Sequence, residues 1–453
     1  MLSKNEKQRL IEGDHKYLWH PFTQMRDWLN ELPVIIERGE GIFLWDTDGN
    51  RYFDGYSSVW VNLHGHRREE INQAIESQLN KVAHSTFLGL SNIPAVQLAE
   101  KLIRLAPIGL SRVFYSDNGS TAVEIALKIA FQYWHQKGAI FQKKTKFIAL
   151  YNGYHGDTIG TMSVGGIPLF QNLFKSLYFS SYKVESPYCY RCPLNLKFPD
   201  CQIACLDPME EVLKSRHEEI AAIVIEPGLQ AAGGMIVLPP GYLTRVSELS
   251  KKYGCLLIAD EVATGFGRTG KMFACNHESI SPDLMAVAKG LTGGYLPLAA
   301  TLATEEIFEA FLGSYEDFKT FFHGHSYTGN QLGCAAGIAN LEIFEKENTL
   351  QILQGKIHQF KKMLEPLYNL KGVGDIRQIG LIGIIELVKN KKTKEPFMLK
   401  EKKGMKVCQE ARKRGLLIRP LGNILVLMPP LSASPGQLHE IISILGESIR
   451  TAI

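Results

Sequence analysis

No stretch of this sequence stays apolar over the ~20 residues that a helix needs to cross a bilayer, so no membrane span is expected. The opening residues, MLSKNEKQRLIEGDHKY, are polar and charged and lack the apolar centre of a secretory signal. A cytoplasmic protein is therefore expected, and its eight cysteines should be reduced thiols. Charge of one sign is scarce. Lys+Arg 50 against Asp+Glu 46 leaves +4 with no concentrated basic stripe, which removes nucleic acid from the expected partners. There is no internal repeat and no low-complexity tract. A chain of 453 residues exceeds one ordinary core and predicts a large domain with a smaller companion.

What the sequence does have is alternation. The apolar runs FIALY (147–151), AAIVIE (221–226), CLLIAD (255–260) and LMAVAK (284–289) read as buried strands, with helical stretches such as GYLTRVSELSKKYG (241–254) between them. Strand, crossover helix and strand in succession predict an α/β fold with a mostly parallel sheet covered on both faces. Ligands of such sheets sit beyond the carboxyl ends of the strands. The runs end there on Glu226, Asp260 and Lys289. Both chain ends differ. GIFLWDTDGNRYFDG (41–55) carries the turn signal DTDGN and predicts a hairpin, and the residues after 330 mix a long helix with short strands. Residues 1–65 and 331–453 are expected to form a small α+β domain beside a large domain of residues 66–330. The basic stretch KNKKTKEPFMLKEKKG (389–404) reads as a solvated loop running into a helix.

Lys289 follows an apolar strand and precedes Gly290, so its amine should project from a sheet end into a cleft. Desolvation there eases loss of its proton, which suits Schiff-base chemistry. Asp260 ends the preceding apolar strand, where a buried carboxylate is costly without a partner. A pyridinium N–H is such a partner, and the pairing lets the ring act as an electron sink. Taken singly, a surface lysine and a helix-capping aspartate would explain both residues. A third element changes the balance. RVFYS (112–116) runs through DNGS into a helix with apolar residues at Ala122, Ile125, Ala126, Ile129 and Tyr133. Thr121-x-x-Glu124 resembles a capping box, so Gly119 and Ser120 fall at a helix N-terminus that favours a phosphate. The three together point to pyridoxal 5′-phosphate (PLP). In NGYHGDT (152–158), Tyr154 is expected to stack on the cofactor ring, with His155 and Asp157 orienting Tyr154 or the lysine. Glu226 is expected to hydrogen-bond around Asp260.

The sequence resembles the class III (ω-amino acid) aminotransferases of PLP fold type I. The matching pieces are DNGSTAVEIALK, YHGDT, IEPG, ADEVATGFGRTG and AKGLTGGYLPL, in the family's order over essentially the whole chain. The resemblance implies a seven-stranded, mostly parallel sheet between helices. It implies catalysis by Lys289, Asp260 and Tyr154, and a cofactor also held by Gly119, Ser120, His155, Glu226 and Val262. Within the family, WHPFTQM (19–25), DGYSSVWVNLHGH (54–66) and LLIRPLGNILVLMPP (416–430) resemble the branch that aminates 8-amino-7-oxononanoate in biotin biosynthesis. That branch implies Arg419 as the partner of the substrate carboxylate, Arg268 as a second arginine near the cleft, and Phe22, Val59, Trp60 and Tyr154 as the pocket wall. A structural ion pair is the alternative for Arg268. The family also implies a homodimer with shared sites, in which HGHSYTGN (323–330) brings Gly324, His325 and Ser326 to the neighbour's cofactor phosphate. Another ω-amino acid transaminase, or an aminomutase, is the alternative activity.

The sequence departs from the branch members that use S-adenosylmethionine as amino donor. Phe22 replaces their tyrosine, and Val59-Trp60 their Trp-Trp pair. Ser326 stands for the usual threonine, and Val426 for an aromatic residue near Arg419. These departures resemble the lysine-using members and place lysine ahead as donor. Cys189, Cys192, Cys201 and Cys205 form C-x2-C-x8-C-x3-C, whose first pair has zinc-ligand spacing. No His-rich segment supports a metal, and four reduced thiols are expected.

Overall fold

The structure, a computed structural model, describes residues 2–453. At its centre lies a sheet of seven strands: β1 (Leu110–Ser116), β2 (Lys146–Leu150), β3 (Tyr182–Val184), β4 (Ile220–Ile225), β5 (Leu256–Asp260), β6 (Leu284–Val287) and β7 (Ala299–Thr304). Their order is β1-β7-β6-β5-β4-β2-β3. The run from β6 to β3 is parallel, and β7 is antiparallel to both of its neighbours. Every residue of β4, β5 and β6 is buried. That is why these segments read as continuous apolar runs rather than alternating ones.

Helices cover both faces. The helix Gly119–Lys137 buries Ala122, Ile125, Ala126, Ile129 and Tyr133, in one core cluster with Phe147, Val224, Ile258 and Ala286 of the strands. Tyr242–Lys252 buries Leu243, Val246 and Leu249 in the larger core cluster, with Ile223, Leu257 and Met285. The expected Thr121–Glu124 capping box is not formed. Asn118 is the N-cap, and its side chain accepts from Thr121 N at 3.0 Å. The asparagine lets the helix begin on Gly119, so Thr121 becomes its third residue, and Glu124 turns to Thr158 and Thr161 instead.

Residues from the two chain ends share one sheet. Ile36–Glu40, Phe43–Asp46 and Arg51–Asp54 form antiparallel pairs, and Leu416–Leu417 adds in parallel to the last. A second sheet joins Val373–Ile379, Ile382–Leu387, Ile424–Leu427 and Pro420–Leu421. The residues after Asn390 are mostly exposed as far as the helix Lys403–Lys413. Among the described residues no helix is long and apolar enough to cross a membrane. For the site, the consequence is directional. The carboxyl ends of the parallel strands lie at one edge, and β2, β4, β5 and β6 each deliver a polar residue there.

Candidate active site

A cavity of about 710 Å³ opens at that edge. Gly119 and Ser120 enter it after β1, Tyr154, His155 and Asp157 after β2, Glu226 after β4, Asp260 and Val262 from β5, and Lys289 after β6; Trp60 reaches it from outside the sheet. Asp260 is 4 % exposed. Its Oδ2 lies 2.8 Å from His155 Nδ1, and its Oδ1 accepts from Val262 N at 3.1 Å. His155 thus holds the aspartate rather than Tyr154 or the lysine. Tyr154 has its own partner, donating its hydroxyl to Asp157 Oδ2 at 2.7 Å. Burial and that contact push the phenol pKa upward, so the hydroxyl stays protonated. Glu226 accepts from Tyr154 N at 3.0 Å and Ala231 N at 2.9 Å. Burial raises its carboxyl pKa to about 7, with the neighbouring Asp260 adding to the rise and His155 opposing it. Lys289 sits at φ 45°, a left-handed conformation. Burial lowers its amine pKa, while Asp260 and Glu226 work the other way. Its Nζ lies 5.3 Å from the centre of the Trp60 ring.

These residues fit pyridoxal phosphate. A Cβ on Gly119 would stand 2.4 Å from Val262 Cγ1, so backbone alone can occupy that helix end. Ser120 Oγ meets Thr158 Oγ1 at 2.9 Å and Thr161 Oγ1 at 3.0 Å, and accepts from Thr158 N at 3.0 Å. A helix start with this cluster of N–H and O–H groups suits a phosphate. A half-buried amine, with the buried carboxylate of Asp260 in the same cavity, suits an aldehyde on a protonated pyridine. When bound, that cofactor supplies an electron sink for charge developing on the carbon that carries the amine. The chain's own residues do the rest. His155 and Val262 N fix Asp260, and Lys289 Nζ, with its pKa lowered, can take and return a proton.

Other expected residues stand apart. Arg268 is 1 % exposed and does not line the cavity. Its Nη1 donates to Pro429 O at 2.9 Å and its Nη2 to Asn62 O at 2.7 Å, so it is neither a substrate-facing arginine nor half of an ion pair. Arg419 is exposed and donates to Phe22 O at 2.9 Å. Phe22 packs edge-on against Phe170, which in turn packs edge-on against Tyr154. Val59 is 47 % exposed. Gly324, His325 and Ser326 do not reach the cavity of their own chain. Val426 is buried in a strand of the second sheet.

The sequence reading missed Thr158, Thr292 and Tyr295, which also line the cavity. Their signal is present in YHGDT and AKGLTGGYLPL, segments in which no role attaches to these three residues. It also missed a left-handed turn. Ser57, Ser58, Val59 and Trp60 have φ of 51°, 49°, 66° and 70° in succession. Each such residue costs about 1–2 kcal/mol. The four cysteines of residues 189–205 line one small cavity of about 20 Å³. All eight cysteines are free, and among the described residues no three His, Cys, Asp or Glu are grouped to hold a metal ion.

A mostly parallel sheet that offers a half-buried lysine, a buried aspartate and a phosphate-ready helix start at one edge defines a PLP-dependent transaminase. The family described as aminotransferase class-III matches residues 25–449, and the chain belongs to it. It is 53 % identical over 452 residues to the adenosylmethionine-8-amino-7-oxononanoate aminotransferase of Anoxybacillus flavithermus, covering 99 % of this chain and 97 % of that one. It is 49 % identical to the enzyme of the same name from Geobacter sulfurreducens, covering 98 % of each. A solved structure of that aminotransferase from Methanocaldococcus jannaschii superposes with TM-score 0.94 at 46 % identity, covering 98 % of this chain and 99 % of that one. An amine transaminase from an uncultivated Pseudomonas species, in its PLP-bound form, superposes with TM-score 0.92 at 35 % identity, covering 96 % and 99 %. The fold is PLP fold type I.

Proposed function

We propose that this chain aminates 8-amino-7-oxononanoate to 7,8-diaminononanoate in biotin biosynthesis. The observation that carries the reading is likeness over nearly the full length of both chains to relatives that bear this activity in their names. Those names also carry adenosylmethionine, which makes S-adenosylmethionine the first donor reading. Lysine is the second, favoured by Phe22 and Val59 where the S-adenosylmethionine users carry aromatic hydroxyl and indole groups.

In this reading Lys289 is the covalent anchor and proton carrier, and Asp260 keeps the ring nitrogen protonated. Gly119 and Ser120 take the phosphate, and Tyr154 covers the ring. Arg419 takes the substrate carboxylate, for which its planar guanidinium is suited. Trp60, Val59 and Phe22 wall the slot for the chain. The enzyme works as a cytoplasmic homodimer, with Gly324, His325 and Ser326 serving the neighbour's site. The surface around His325 supports the dimer. Around its segment Leu88, Tyr315 and Phe322 are 90 %, 95 % and 74 % exposed, an apolar display that a second copy would cover.

The test is product analysis. Purified protein with PLP and 8-amino-7-oxononanoate should yield 7,8-diaminononanoate, by mass, with S-adenosylmethionine or with lysine. Absence of product with both donors, while ω-amino acids are turned over, would move the chain to another class III activity.

A further inference from the structure

The left-handed turn at Ser57–Trp60 contains no glycine, although each of its residues disfavours that conformation. It persists because its surroundings hold it. Trp60 N donates to Tyr56 O at 2.8 Å and Val61 N to Ser57 O at 2.9 Å. Those bonds shape the turn, but the bonds that pin it come from outside. Asp54, 1 % exposed, accepts from Ser58 N at 2.8 Å through Oδ1 and from Ser58 Oγ at 2.8 Å through Oδ2. His66 Nε2 stands 3.0 Å from the same Oδ2, and its Nδ1 lies 3.2 Å from Asn62 Nδ2. Ser57 Oγ donates to Met428 O at 2.6 Å. Arg268 binds Asn62 O at the exit of the turn. Gly294, itself at φ 85°, packs on that exit so closely that a Cβ would lie 2.9 Å from Asn62 N.

None of Asp54, Ser57, His66 or Arg268 lines the cavity. What the turn delivers there is Trp60, with the Lys289 amine 5.3 Å from its ring centre. Trp60 packs behind against the buried cluster that contains Leu229, Met235 and Val426. A right-handed turn would aim the indole elsewhere, because four positive φ angles reverse the hand of the turn.

We infer that Asp54 is a positioning residue for substrate recognition: its carboxylate, oriented by His66, locks Ser57–Trp60 in the left-handed turn and so fixes the indole wall over Lys289. Because the acceptor part of the test rests on the proposed reaction, a second readout independent of substrate is needed. Acrylamide quenching of Trp60 supplies it, isolated by difference from Trp60→Phe in the same background.

In the PLP-loaded dimer, Asp54→Asn should leave the visible absorbance of the lysine-bound cofactor intact. It should raise KM for the acceptor by roughly tenfold or more, as loss of charge-assisted hydrogen bonds does, with kcat changed much less. Trp60 should become markedly more quenchable. Adding Ser58→Gly to Asp54→Asn should recover much of both, since glycine adopts the left-handed conformation without penalty. Should Asp54→Asn fail to fold, Ser57→Ala, which removes only the bond to Met428 O, should show the same pattern in milder form. An active wild type beside variants with unchanged Trp60 quenching and unchanged KM would overturn the inference, as would a defect that Ser58→Gly does not relieve. An inactive wild type would instead count against the proposed reaction, and the quenching would still decide the role of Asp54.

Discussion

Gly119, at the proposed phosphate end of the cavity, has no room for a side chain. It opens the helix Gly119–Lys137, and a methyl group there would meet Val262 Cγ1 at 2.4 Å and Cγ2 at 3.0 Å. Real carbon atoms do not approach so closely, so Gly119→Ala must push the helix start and the Val262 segment apart. Val262 is two residues from Asp260, whose Oδ1 accepts from Val262 N. The strain therefore acts at both ends of the cofactor cradle. Overpacking of this kind costs about 1–3 kcal/mol, which is about 5- to 150-fold in an equilibrium constant. We expect Gly119→Ala to weaken PLP by a factor in that range, read by equilibrium dialysis against the Lys289→Ala background to remove the covalent step. Val262→Ala removes both offending methyls. The double substitution should bind better than the product of the single effects implies, a coupling that a double-mutant cycle reads directly. Strictly additive effects would refute the steric argument, and wild-type affinity in Gly119→Ala would refute the placement of the phosphate.

Lys289→Ala should abolish turnover while the protein still binds PLP non-covalently, seen as cofactor lost on gel filtration in denaturant where the wild type retains it after borohydride reduction. Arg419→Ala should raise KM for 8-amino-7-oxononanoate by about 10- to 100-fold, the worth of a charged hydrogen bond, with cofactor loading unchanged. Glu226 gives a pH prediction for the apoprotein. Its carboxyl pKa in the fold is about 7 against an ordinary 4.5. The folded state therefore binds the extra proton between those values, and stability falls as pH rises through that window. At 1.36 kcal/mol per pH unit the loss is of order 3 kcal/mol. Glu226→Gln should flatten this part of a urea-denaturation profile, and parallel wild-type and variant profiles would contradict the assignment.

Legibility followed burial. Glu226, Asp260 and Lys289 could be read because each closes an apolar run, and the end of a buried parallel strand is a position that sequence periodicity reveals. The strands themselves were legible for the same reason: β4, β5 and β6 are buried throughout. The helix start was misread by one turn, because Asn118 and Thr121 both have capping side chains and only the geometry of the loop chooses between them. Arg268 could not be placed, since whether a guanidinium meets substrate or backbone carbonyls depends on where Asn62 and Pro429 arrive from distant parts of the chain. The turn at Ser57–Trp60 was invisible for a stronger reason. Nothing in Ser-Ser-Val-Trp favours left-handed backbone, and the groups that impose it, Asp54, Arg268 and Met428 O, are non-local or outside the turn.

The central claim is that Lys289 and Asp260 hold a cofactor that carries an amino group from donor to ketone. The most direct measurement is a half-reaction. The PLP-loaded protein is mixed with S-adenosylmethionine, and separately with lysine, and the visible absorbance of the lysine-bound cofactor is followed. The account predicts loss of that absorbance with a donor and its return on adding 8-amino-7-oxononanoate, with both changes missing in Lys289→Ala. An absorbance that neither donor shifts, or one that the acceptor fails to restore, would contradict it.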